Sequence, residues 1–170
     1  MLSKKMEKAL NGQINAELYS SYLYLAMSAW FTGKGLAGFA NWMRQQAQEE
    51  MFHAIKFYDF VGERGGKVVL EAIAKPDADW QNGTEVFKAT LEHERKVTGL
   101  INNLVNQALD ERDHATNIFL QWFVSEQVEE EANAGAILDK LKLIGKESGG
   151  LFALDQELAQ RVFTMPAPVA

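Results

Sequence analysis

The segment NWMRQQAQEEMFHAIKFYDFVG places Glu50 and His53 three positions apart. At 3.6 residues per turn the two project to the same side of a helix, near enough to hold one cation between them. The same period gathers Leu36, Phe39, Met43, Ala54, Phe57 and Val61 around Glu50, and puts His53 on the adjoining edge with Phe39 and Phe60. A carboxylate thus stands where a core would take an aliphatic side chain.

That interruption recurs along the chain. Glu94 is central among Phe87, Leu91, Ile101 and Val105, and Glu130 among Phe119, Phe123, Ala134, Ile137, Leu141 and Ile144, with Glu126 and Gln127 beside it. Glu17 borders a stripe of Leu10, Ile14, Leu18 and Leu25, and Tyr24 lies two turns further on. One buried unpaired carboxylate costs several kcal/mol, and several converging ones repel further or take up protons. No Lys or Arg occupies these inward positions, so a multivalent cation, or two, would relieve the cost. Four carboxylates with one imidazole suit Fe or Mn, with zinc able to compete. The economical division gives Glu17 and His53 to one ion, Glu94 and Glu130 to another, and leaves Glu50 as the bridge.

The helices that carry these residues can be placed from the stop signals. Prolines occur only at Pro76, Pro166 and Pro168, leaving two long stretches free to be helical. Helices are expected over about 4–31 and 36–64, divided at Gly33 and Gly35, then over about 84–109 with Thr84 as N-cap, and from a cap at Asp113 to about Gly145. The stretch ERGGKVVLEAIAKPDADWQNG loses the helical period. Its length, about 20 residues, suits a crossover along a whole bundle, which would make the second and third helices parallel. A short fifth helix is expected at about 149–162, followed by a frayed tail, TMPAPVA. The four long helices have midpoints near 18, 50, 96 and 129, so Glu17, Glu50, Glu94 and Glu130 share one layer whichever way each helix runs. The fold class is all-α: a four-helix bundle within a single domain spanning 1–170.

Composition narrows the chemistry. With no cysteine, disulfides, thiol catalysis and Cys-held metals are excluded, so a metal must take oxygen and imidazole ligands. A net charge of −6 argues against nucleic acid and favours cations. The absence of a long apolar run or signal-like start predicts a cytoplasmic protein without membrane contact. His93 and His114 lack a carboxylate partner and are expected to face water. Tyr24 and Trp122 read as packing residues, Trp30 and Phe31 as aromatics on an exposed face. The run EQVEEE is either a charged outer face or part of a further metal site.

Five segments, NAELYSSYLYLAMSAWF, QQAQEEMFHAIKFYDFVGERGG, HERKVTGLINNL, NIFLQWFVSEQVEEEA and LDKLKLIG, together resemble the non-haem prokaryotic ferritins in order and over nearly the whole chain. The inward Glu and Glu-x-x-His geometry of ferritin-like bundles is a known pattern. The resemblance implies a ferritin-like bundle with a ferroxidase centre, Fe(II) being held at Glu17, Glu50 and His53 and at Glu50, Glu94 and Glu130, then oxidised by O2 or peroxide. It also implies a third iron site at Glu49, Glu126 and Glu129 with Glu130 shared, a hydrogen-bonding or electron-donating Tyr24, and an orienting amide at Gln127. The ferric product would be stored inside a homo-oligomeric shell, usually of 24 subunits, with the fifth helix at a symmetry axis. Where bacterioferritins carry a second Glu-x-x-His, this chain reads QVEE, so no haem is expected, although Met51 matches their haem-ligating position. A discrete di-iron redox enzyme without mineral, and a purely structural bundle, remain as alternatives.

Overall fold

The computed structural model describes residues 1–145 and 148–165, and among them the regular elements are five helices. These are α1 (Lys4–Gly33), α2 (Ala37–Glu63), α3 (Gly83–Asp110), α4 (His114–Ile144) and α5 (Ser148–Leu158). Side-chain oxygens start three of them. Ser3 accepts from the Met6 N–H at 2.9 Å, Asn82 from the Glu85 N–H at 3.0 Å, and Asp113 from the Thr116 N–H at 3.1 Å. The third helix thus begins one residue before the expected Thr84, because the Asn82 amide oxygen takes the capping role. Gly35 turns the chain between α1 and α2 at φ 73°, a conformation that costs glycine little.

Helix α2 begins differently. Leu36 offers no capping side chain, and the free amides of Gly38 and Phe39 donate instead to Asp155 Oδ1 of α5, at 2.8 and 3.0 Å. A carboxylate at a helix N-terminus satisfies both the orphan donors and the macrodipole. The approach requires Gly38, since a Cβ there would lie 1.6 Å from the Asp155 carbonyl oxygen. The fifth helix is therefore seated on the start of the second, with Leu154 and Leu158 buried. It ends at Leu158, earlier than the expected 162; most of the tail, residues 166–170, lies outside the described residues.

Two apolar clusters fill the bundle. One joins Tyr24, Met27 and Phe31 of α1 to Phe39 and Met43 of α2, Val86 and Phe87 of α3, and Ile137, Leu138 and Leu141 of α4. The other joins Met6, Leu10 and Ile14 to Phe57, Phe60 and Val61, Ile101 and Leu104, and Leu120 and Phe123. The late part of α1 thus meets the early parts of α2 and α3 and the late part of α4. This makes α2 and α3 parallel and α1 and α4 antiparallel to them, as the crossover length predicts. Asn11 and Asn15 of α1 donate to Lys67 O and to Glu71 O and Ala72 O, and Trp30 donates to Asp79, pinning the crossover along α1.

Two sequence expectations are corrected here. The buried line of α1 runs Leu10, Glu17, Tyr24, Phe31, so Leu25, one residue off it, is 46% exposed, while Phe31 is fully buried and stacks on Phe39 at 5.0 Å. Trp30 is half-buried against Trp80 rather than free on an open face.

Candidate metal centre

Between the two apolar clusters lies a polar layer. Glu17, Gln46, Glu50, His53, Glu94, Gln127 and Glu130 are all buried, and every long helix contributes to it. Ligand atoms of Glu17, Glu50 and His53 fall within 4.8 Å of one another, and so do those of Glu49, His53, Glu126 and Glu130. His53 Nδ1 is 3.3 Å from Glu50 Oε2, with the ring wedged edge-on among Trp122 and Phe123. Aromatic walls fix the imidazole and keep water from it.

Three glutamines brace the carboxylates. Gln13 donates to Glu17 Oε1 at 2.8 Å, Gln46 to Glu130 Oε2 at 2.7 Å and Glu50 Oε1 at 3.4 Å, and Gln127 to Glu94 Oε2 at 3.2 Å. An amide donates without carrying charge, so it orients a carboxyl group without supplying a counter-ion. Gln13 and Gln46 are not among the residues that the sequence pattern singled out. Their signal was present: each precedes its glutamate by four residues, the spacing of neighbours on one helix face. Glu94 is turned toward Tyr24, whose hydroxyl donates to Glu94 Oε1, and it belongs to neither close ligand group.

The electrostatics follow from burial without cations. Among the described residues no Lys or Arg pairs with Glu17, Glu50, Glu94 or Glu130. Loss of hydration, and then the charge of Glu50, push Glu17 up to about 8. Burial raises Glu94 to about 7, and raises Glu50 and Glu130 as well, with Glu94 adding repulsion to both. The Tyr24 hydroxyl is held well above its ordinary range by burial and by Glu94. Three buried atoms in the layer, Glu17 Oε2, Gln46 Oε1 and His53 Nε2, have no hydrogen-bond partner among the described residues. A carboxylate oxygen and an imidazole nitrogen left unpartnered in one buried layer are ligand types that suit a hard or borderline cation.

Outward from this layer, Glu49, Glu126, Glu129 and Glu130 line an open cavity of about 330 Å³ with Asn133 and Arg161. Glu126 is raised by partial burial, with Glu49 and Glu129 adding repulsion. Glu129 is exposed, and Glu49 is paired with Arg161 at 2.6 Å, a cation that residue spacing did not foresee. His93 is also corrected: it is half-buried rather than free in water, lying against Tyr19 and Tyr24 with Nε2 2.8 Å from Ser20 Oγ, and burial lowers it to about 4. His114 is exposed as expected. Met51 is 44% exposed on the outer face of α2, away from the layer.

An all-α bundle whose crossover makes its second and third helices parallel, with carboxylates and one imidazole buried at mid-height, defines the ferritin-like class. The sequence model of the ferritin-like domain matches residues 7–144, and the chain belongs to that family. It is similar to the bacterial non-heme ferritin of Bacteroides fragilis, 47% identical over 161 residues that cover 95% of this chain and 100% of that one. The non-heme ferritin of Campylobacter jejuni is 43% identical, over 92% of this chain and 93% of its own. Among solved structures, the open-pore ferritin of the hyperthermophilic archaeon Archaeoglobus fulgidus superposes with a TM-score of 0.94 at 53% identity, over 95% of this chain and 98% of that one. A closed form of that ferritin, engineered by site-directed mutagenesis, gives 0.95 at 53% identity, over 96% and 100%. Among the described residues no helix is long and apolar enough to cross a membrane.

Proposed function

We propose that this chain is an iron-storage ferritin that oxidises Fe(II) at a di-iron centre within each subunit. Iron is both substrate and cargo. One Fe(II) is held by Glu17, Glu50 and His53, the other by Glu50, Glu94 and Glu130, with Glu50 between them. Each ion gives up one electron, and the two electrons reduce one O2, or one peroxide, which takes up the accompanying protons. Tyr24 holds Glu94 through its hydroxyl, and Gln127 fixes the other oxygen of the same carboxylate. Glu49, Glu126 and Glu129, with Glu130 shared, form an outer iron site on the way to storage. Ferric product accumulates as mineral in a shell of 24 copies, each a single domain spanning residues 1–170.

The observation that carries this reading is the close buried group of Glu17, Glu50 and His53, which lacks a protein cation and retains two unpartnered donor atoms. The names of the relatives in Bacteroides fragilis and Campylobacter jejuni support storage rather than another use of the same ligands. Loading the protein aerobically with a large excess of Fe(II), separating by size and counting iron in the soluble high-mass fraction tests it. Iron retained far beyond the ligand capacity of the chain is expected. Retention of only about two ions per chain, the number a di-metal bundle site holds, would replace storage with a discrete di-iron redox enzyme. No saturable Fe(II) site at all would leave a structural bundle.

A further inference from the structure

The segment after α5 folds back across one face of α2 and is tied there at several points. Asn41 Nδ2 donates to Arg161 O at 3.0 Å and to Leu158 O and Ala159 O at 3.3 Å. The Phe163 N–H donates to Gln45 Oε1 at 2.8 Å. Between these ties the Arg161 guanidinium lies 4.2 Å over the Trp42 ring. So placed, Arg161 Nη2 reaches Glu49 Oε2 at 2.6 Å, with the two side chains only 20% and 17% exposed. Glu49 is in turn a member of the close group with Glu126, Glu130 and the buried His53, whose Nε2 has no partner among the described residues.

We infer that Arg161 is a built-in counter-cation for the outer acidic site, which a metal ion must displace from Glu49 in order to bind there. The inference rests on the proposed assignment of inner and outer sites. The inner group has no Lys or Arg among its described partners, whereas the outer one carries a guanidinium that is permanently charged, stacked and tethered. A divalent ion entering the outer cluster competes with that charge for Glu49 and then meets the freed guanidinium close by. The outer site is thereby weakened relative to the inner pair, and the chain fills from the inside outward. Iron reaching the outer site is held loosely enough to move on.

Calorimetric titration of the metal-free, full-length protein with redox-inert Zn(II) tests this without turnover. The wild type is expected to bind two ions tightly and a third more weakly. Arg161→Gln should tighten the third event roughly tenfold or more, the fold-change of one charge-assisted hydrogen bond, and leave the first two unchanged. Lys56→Gln removes one positive charge near the same cluster, where Lys56 sits 4.3 Å over Trp122 without touching Glu49, and should change the third event less than about threefold, as a screened charge does. Asn41→Ala keeps the arginine but releases its tether, and should tighten the third event in the same direction. An unchanged or weaker third event in Arg161→Gln, an equal effect in Lys56→Gln, no effect in Asn41→Ala, or only two events in every variant would each overturn the inference. Loss of the first two events in the wild type would instead overturn the proposed di-iron centre.

Discussion

The α3–α4 corner half-buries one carboxylate and the mid-height layer buries four, and the two places treat them oppositely. At the α3–α4 corner Asp113 accepts from Arg64 Nη2 at 3.0 Å and from the Thr116 hydroxyl at 2.7 Å. These partners hold its carboxyl below the usual range against the cost of burial. At mid-height Glu17, Glu50, Glu94 and Glu130 meet no Lys or Arg among the described residues: they accept from the amides of Gln13, Gln46 and Gln127 and the hydroxyl of Tyr24, with His53 Nδ1 3.3 Å from Glu50. All four are raised. The first arrangement locks a helix start to its neighbour, and the second holds carboxyl groups that keep their protons for want of a cation. Partner chemistry thus separates a carboxylate used for stability from carboxylates left without a charged Lys or Arg partner.

Removing the proposed bridge should break this contrast most. Glu50→Ala is expected to lower the initial Fe(II) oxidation rate by ~100-fold or more, since even partners of ligands are worth about 10–100-fold. Stopped-flow absorbance with size-exclusion control of assembly checks it, and an unchanged rate would remove Glu50 from the bridge. The same variant should melt higher than wild type in the metal-free state, because a buried carboxyl whose ionisation burial and Glu94 oppose is gone; a lower melting temperature would show that the layer is not repulsive.

The pH dependence of metal-free stability comes next in size, and its sign differs between the two regions. Glu17 and Glu94, held at about 8 and about 7, keep protons in the folded chain that the unfolded chain releases above 4.5. Stability should therefore fall as pH rises from about 5 to 8, by on the order of 1 kcal/mol per pH unit for each group held protonated. Asp113 works in reverse: its contribution is present above 3.8, the ordinary value, and is lost as pH falls below it. Urea unfolding of the metal-free protein below pH 3.8 probes Asp113, and at pH 5, 6.5 and 8 it probes the layer. A stability that climbs through this range would show that the layer is neutralised by other means.

Smaller effects sharpen the comparison. Arg64→Ala should cost about 2 kcal/mol, between a surface ion pair and a fully buried one, because both partners are only partly exposed. Tyr24→Phe should cost about 1 kcal/mol by removing one hydrogen bond to Glu94 and should slow Fe(II) oxidation only several-fold. Denaturant midpoints measure both, and a Tyr24→Phe rate loss as deep as that of Glu50→Ala would make the tyrosine part of the chemistry rather than a support.

Much of this was legible in residue spacing. Glu50 and His53 stand on one face because three residues nearly complete a turn, and the common depth of the four glutamates follows from helix lengths. Asp113 and Gly35 are local signals, read correctly because capping and left-handed turns depend on one residue each. Errors arose where neighbouring registers compete. Leu18 and Leu25 make as good an apolar line as Tyr24 and Phe31 one residue away, about 100° around the helix, and only packing against Phe39 and Phe87 selects the latter. His93 looked solvent-facing because its partner Ser20 and its neighbours Tyr19 and Tyr24 belong to another helix.

Short-range geometry, written in the order of the residues, was enough for five helices, a crossover long enough to make α2 and α3 parallel, and one layer of acidic residues with an imidazole. Which carboxyl groups gain a charged partner and which do not was decided only in the folded chain. Asp155 caps α2 across 117 positions and Arg161 neutralises Glu49 across 112, and neither pairing has a local signature. The reason is physical. Helical periodicity is carried by neighbours a few residues apart, whereas the partner of a buried charge is chosen by whichever segment the fold brings within about 3 Å of it.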